Sequence, residues 1–139
     1  MAFSASAQWT GDKSGAGSYS LGSGAAKDVK YTFPDRFEEK GGPTPEELIG
    51  AAHAACFVMY LTAKLGDTKH QGITAESKVS LGKDDRGPVI TEIRLKVQAK
   101  VAGLDKAKFD ELVKATEANC PIARLYANNV SIKVDAQLV

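Results

Sequence analysis

Cys56 and Cys120 are the two thiols of this chain, and each has an unusual local setting. Cys56 lies inside the Ala-rich run PTPEELIGAAHAACFVMY, and Cys120 inside ANCPIARLY. The plainest reading of a thiol in an apolar helix is a small packing residue. Two such thiols also make a redox pair if the fold brings them together. A reactive cysteine must be a thiolate, and a thiolate needs a cation or hydrogen-bond donors nearby. The middle of a helix supplies neither, so a cation must reach Cys56 from elsewhere. Arg36 is the best candidate, because it sits in a polar segment between a strand and the Cys56 helix; the alternative is an ordinary surface arginine. Glu46 is the obvious carboxylate to fix its guanidinium as a two-pronged partner, although it equally suits the start of a helix. Glu46 and Cys56 are ten residues apart, about 15 Å along a straight helix. They therefore do not touch directly. The arginine must bridge them, the helix must bend, or a second subunit must supply one member. Cys120 stands before Pro121 at a helix break, where a thiolate is favoured and a side chain moves more easily than in mid-helix. That suits a resolving thiol, or else a packing residue at a corner.

His53 is three residues before Cys56, which places both on one helix face. That spacing permits a Cys–His pair or two metal ligands, and a buried core histidine is the simpler reading. His70, in TKHQG, reads as an exposed turn residue. A zinc site built on Cys56 and His53 is one alternative function, but Cys-x-x-Cys and His-x-x-x-His spacings are absent. A dimer that binds a small apolar ligand without catalysis is another. The glycine-rich stretches have neither the spacing of a phosphate loop nor the context of a dinucleotide fingerprint, and no Gly-x-Ser-x-Gly elbow occurs. The reading carries no metal and no cofactor.

The chain has 139 residues, 43% of them apolar, with 18 basic and 17 acidic side chains for a net charge of +1. Its length suits one domain, 1–139, with a sizeable core. Charges of both signs are scattered along it, so a nucleic-acid partner is not expected. The longest apolar stretch, 48–65, is interrupted by His53 and Lys64, and the expectation is that no segment spans a membrane. The N-terminal residues lack the pattern of a signal peptide, which points to a cytoplasmic address. In a reducing compartment a cysteine pair is more often metal-binding, catalytic or redox-cycling than a permanent staple.

Several elements must position these residues. Phe3, Ala5, Ala7 and Trp9 alternate with polar residues and predict a strand, as do Val29, Tyr31 and Phe33 after a Gly/Ser-rich turn–strand–turn. Pro34 ends that third strand, and the polar segment DRFEEKGGPT follows. Thr44, Pro45 and Glu47 form a helix-start signature, and Gly66 a stop, for a helix reaching Leu65. That helix is apolar around most of its circumference, which asks for more burial than one chain provides; a partner subunit would complete it. Strands are predicted over 73–81 and 91–101, helices over 105–118 and 121–126, and a last strand from Val130 to Leu138. The fold class is α+β with mostly antiparallel sheet and a long central apolar helix.

The runs PTPEELIGAAHAACFVMYLT, ANCPIARL and RFEEKGG together resemble the osmotically inducible protein C family, also called OsmC/Ohr, and its osmotically inducible branch in particular. The resemblance covers nearly the whole chain. It implies an OsmC-like intertwined homodimer with helices between sheets. It implies a thiol peroxidase for organic hydroperoxides, with hydrogen peroxide a poorer substrate. By the same resemblance Cys56 is the peroxidatic cysteine, Cys120 the resolving one, Arg36 the arginine that stabilises the thiolate and Glu46 the glutamate that orients it. Family members are often reduced by an external dithiol carried on a dihydrolipoyl group. Phe57, Met59 and Tyr60 are near enough to Cys56 in sequence to be expected in the wall of an apolar substrate pocket.

Overall fold

The computed structural model describes residues 1–38 and 41–139. Within the polar segment, Glu39 and Lys40 lie outside the described residues. The chain divides into two compact units, Met1–Pro45 and Glu46–Val139.

The first unit is built on β1 (Ala5–Thr10), β2 (Ala16–Leu21) and β3 (Val29–Tyr31), an antiparallel meander in that order. Gly17 is opposite Trp9 on one side and Tyr31 on the other. A Cβ there would come within 2.6 Å of the Tyr31 ring and 2.7 Å of the Trp9 ring. A glycine inside the strand is what lets these two rings cover the sheet, with centroids 5.8 Å apart. Phe33 meets Trp9 edge-on at 5.3 Å.

The third strand was expected to include Phe33, but it stops at Tyr31 and a short helix, α1 (Phe33–Phe37), begins. Thr32 is its N-cap and Asp35 its third residue, and each satisfies the other's backbone N–H in a reciprocal capping box. Pro34 fits the first turn, where its missing N–H costs nothing. Thr-Phe-Pro-Asp was therefore a legible helix signal inside a segment expected to be loop. The other carboxylate oxygen of Asp35 accepts from Gly42 N at 2.9 Å. These hydrogen bonds, from Thr32 above all, hold the Asp35 carboxyl below its usual pKa range.

The second unit pairs β4 (Gly72–Asp84) with β5 (Gly87–Lys100) as a long antiparallel hairpin, and β6 (Ser131–Leu138) adds to β5 in parallel. A parallel neighbour needs a crossover, which α3 (Lys106–Asn119) and α4 (Pro121–Tyr126) supply. The fold class is thus α+β, antiparallel except for that one pair.

The long helix α2 runs from Pro45 to Leu65, starting and stopping where expected; Gly66 follows it at φ +58°. Its buried residues, Glu46, Gly50, His53, Phe57, Leu61 and Leu65, recur at helical spacing. Phe57, Leu61 and Leu65 join Leu95, Val97 and Ala99 of β5, and Phe109 and Val113 of α3, in one core.

Part of the remaining surface of α2 is open: Met59 is 73% exposed and Leu48 40%. Contrary to the expectation for this stretch, α2 is long and apolar enough to cross a membrane by length and composition, with mean hydropathy 1.5. His53 and Lys64 do not interrupt the pattern enough, because Ala, Leu, Phe and Val outweigh them over a full window.

Candidate active site

The site is built where α2 and α4 meet. Cys56 stands half-buried on α2, and Cys120 is the junction residue that ends α3 and precedes α4. Asn119 ends α3, and Pro121 starts α4 in the position where a proline is pre-organised. At that corner Cys120 N still donates to Thr116 O at 2.8 Å, which ties the break to α3. The Cys120 side chain is 0% exposed, and its sulfur lies 2.7 Å from that of Cys56. Both are free thiols. That separation is well inside ordinary sulfur–sulfur packing and near the roughly 2.0 Å of a disulfide bond. The pair can therefore close with little movement.

Burial pushes the Cys120 thiol above its ordinary pKa, and the neighbouring Cys56 sulfur adds to the rise. The backbone N–H groups of Ala123 and Ile122, in the first turn of α4, pull in the opposite direction without overcoming it. Cys120 is thus held as a thiol, with its sulfur in hydrogen-bond contact with that of Cys56.

The remaining expected site residues lie on α2 and on α1. Glu46 is in the first turn of α2, buried, on the same stripe as His53 and Phe57. Arg36 is in the first unit, on α1 rather than in a loop, with its guanidinium carbon 5.3 Å from the centroid of the Phe37 ring. Beside Arg36 the first unit has a cleft of about 320 Å³ lined by Trp9, Tyr31, Thr32, Phe33, Arg36 and Pro45. The three residues expected in a pocket wall are placed differently within the chain, with Tyr60 half-buried. Phe57 is sealed in the core and Met59 faces outward, because residues two apart on a helix point to different sides.

His53 is fully buried. Burial lowers its pKa, so the ring is neutral at neutral pH. Among the described residues, no group of three His, Cys, Asp or Glu side chains could hold a metal ion.

The OsmC-like protein family model matches residues 37–135. Peroxiredoxin OsmC of Escherichia coli (strain K12) is 42% identical over 135 residues, covering 95% of this chain and 93% of that protein. Organic hydroperoxide resistance protein OhrB of Bacillus subtilis (strain 168) is 33% identical over 114 residues, covering 78% of this chain and 80% of that one. The crystal structure of OhrB of Bacillus subtilis superposes with a TM-score of 0.72 at 29% identity, covering 97% of this chain and 98% of that one.

Proposed function

This chain belongs to the OsmC/Ohr family, and from that premise we propose that it is a cysteine-based peroxidase that reduces organic hydroperoxides to alcohols through a two-cysteine cycle. The observation that carries the reading is the 2.7 Å approach of Cys120 to Cys56. The Cys56 thiolate attacks the distal peroxide oxygen. The O–O bond breaks, the alcohol leaves, and Cys56 becomes a sulfenic acid. Cys120 then condenses with it to give the Cys56–Cys120 disulfide and water. An external dithiol opens the disulfide by exchange and is itself oxidised; a dihydrolipoyl group has the right chemistry.

In this reading Arg36 favours the Cys56 thiolate and stabilises charge on the departing oxygen, and Glu46 orients the guanidinium. The aromatic cleft at Arg36 takes the organic part of the substrate, which favours bulky hydroperoxides over hydrogen peroxide. The working form is an intertwined homodimer in which residues 1–139 act as one domain, and the setting is cytoplasmic. The resemblance supports these assignments, and the open face of α2 supports the dimer. Neither a metal nor an organic cofactor enters the cycle.

The test is one equivalent of cumene hydroperoxide added to the reduced, metal-free protein, with free thiols counted before and after. The reading expects two thiols per chain to fall to none as one alcohol forms. A ligand-binding protein would keep both thiols, and that result would refute the cycle.

A further inference from the structure

The helices α2 and α4 meet at a second point, close to the sulfurs. Tyr126, the last residue of α4, sets its ring edge-to-face with His53, centroids 5.7 Å and planes 84° apart. The Tyr126 hydroxyl reaches the Ile49 carbonyl at 3.4 Å. Phe57 makes a further edge-to-face contact with His53 at 6.3 Å and 80°. His53 is 0% exposed, and neither ring nitrogen has a hydrogen-bond partner. A sealed imidazole without an oxygen partner is costly to keep. What its surroundings offer instead is aromatic rings in the edge-to-face arrangement, where a ring N–H can point at a π face.

The placement of these contacts gives them a role. The segment α4 begins right after Cys120 and ends at Tyr126. Its six-residue rise is about 9 Å. On α2 the matching residues are Cys56 and His53, about 4.5 Å apart along the axis. The sulfur contact holds one end of α4 to α2, and the His53–Tyr126 contact holds the other. Ala123 of α4 is buried and Cys120 N is tied to Thr116 O, so the His53–Tyr126 contact sets the seating of the far end of α4 on α2.

We propose that His53 is a positioning residue for the resolving step: with Tyr126 it docks α4 on α2 and so keeps the Cys120 sulfur on Cys56. This rests on reading Cys56 and Cys120 as the redox pair. In that step a sulfur–sulfur bond forms and the S–O bond of the sulfenic acid breaks. The hydroxyl leaves as water, taking the proton of the Cys120 thiol. Cys120 is oxidised as the Cys56 sulfur is reduced from the sulfenic level. The earlier attack on peroxide forms no bond to Cys120, so loss of the His53 contact should weigh on the second step more than on the first. His53 touches neither reacting atom.

The test is single-turnover oxidation of the full chain by cumene hydroperoxide, with sulfenic acid trapped by a cyclic 1,3-diketone and the disulfide quantified in parallel. In His53→Ala, Cys56 should oxidise at the wild-type rate, trappable sulfenic acid should accumulate, and the disulfide should form about tenfold more slowly, the loss expected from the edge-to-face contacts. His53→Phe, which keeps a flat ring there, should restore the fast step. Tyr126→Leu should slow the same step, and the double variant should be slowed by less than the product of the two single effects, because the His53–Tyr126 contact is common to both. If His53→Ala fails to fold, Tyr126→Leu and His53→Phe decide the matter. Wild-type disulfide formation in the Tyr126→Leu protein, or equal slowing of both steps, would overturn the proposal. A wild-type protein that consumes no hydroperoxide would overturn the peroxidase reading instead.

Discussion

The Cys120 thiol is the group whose proton the cycle must remove, and burial works against its ionisation. Its reaction partner is a sulfur 2.7 Å away, so proximity stands in for intrinsic nucleophilicity. Cys56→Ser should abolish peroxide turnover. Cys120→Ser should consume one equivalent and stop at a sulfenic acid, which mass spectrometry of the trapped adduct would detect. Arg36→Ala should move the pH profile of Cys56 alkylation to higher pH; an unmoved profile would remove Arg36 from the thiolate's surroundings. His53 makes a separate, acid-side prediction. Burial lowers its pKa below the ordinary 6.5, so the unfolded chain takes up the proton more readily than the folded one. Stability is therefore complete above 6.5 and falls as pH drops through that value towards the folded-state pKa. Urea midpoints at neutral and mildly acid pH should show this loss in the reduced wild type, and less of it in His53→Phe.

At the scale of the elements, the arginine's helix and the thiol's helix were unequally legible. The start of α2 at Pro45 and its stop at Gly66 follow from local chemistry, and the helix observed is the helix predicted. The segment α1 was missed, although Thr32 and Asp35 are spaced as a capping box, because Pro34 and the polar residues after it favoured a loop reading. The β-meander beneath α1 depends on Gly17, whose missing Cβ leaves room for Trp9 and Tyr31. Gly17→Ala should lower stability by about 1–3 kcal/mol, as overpacking does. Trp9 is the chain's sole tryptophan, so its emission would report the displaced ring along with the unfolding midpoint. No change in either would mean that the two rings move aside freely.

For the whole molecule, α2 presents a contradiction that only its surroundings resolve. It is apolar enough for a membrane, yet only 28% of its most apolar window is buried within the chain. A second copy of the chain over its open face would remove that apolar surface from water, and area burial is the dominant favourable term in such association. Met59→Glu should therefore shift sedimentation from dimer to monomer, while a wild-type chain that sediments as a monomer at all concentrations would refute the homodimer. The sequence alone determined the order and type of most elements, the identity of the thiols and the family, because periodicity, capping residues and short motifs are local properties. It could not bring Cys120 to Cys56, seal His53 between Phe57 and Tyr126, or send Phe57 to the core and Met59 outward. Those outcomes depend on how helices dock on one another, and that is decided by packing between residues far apart in the chain.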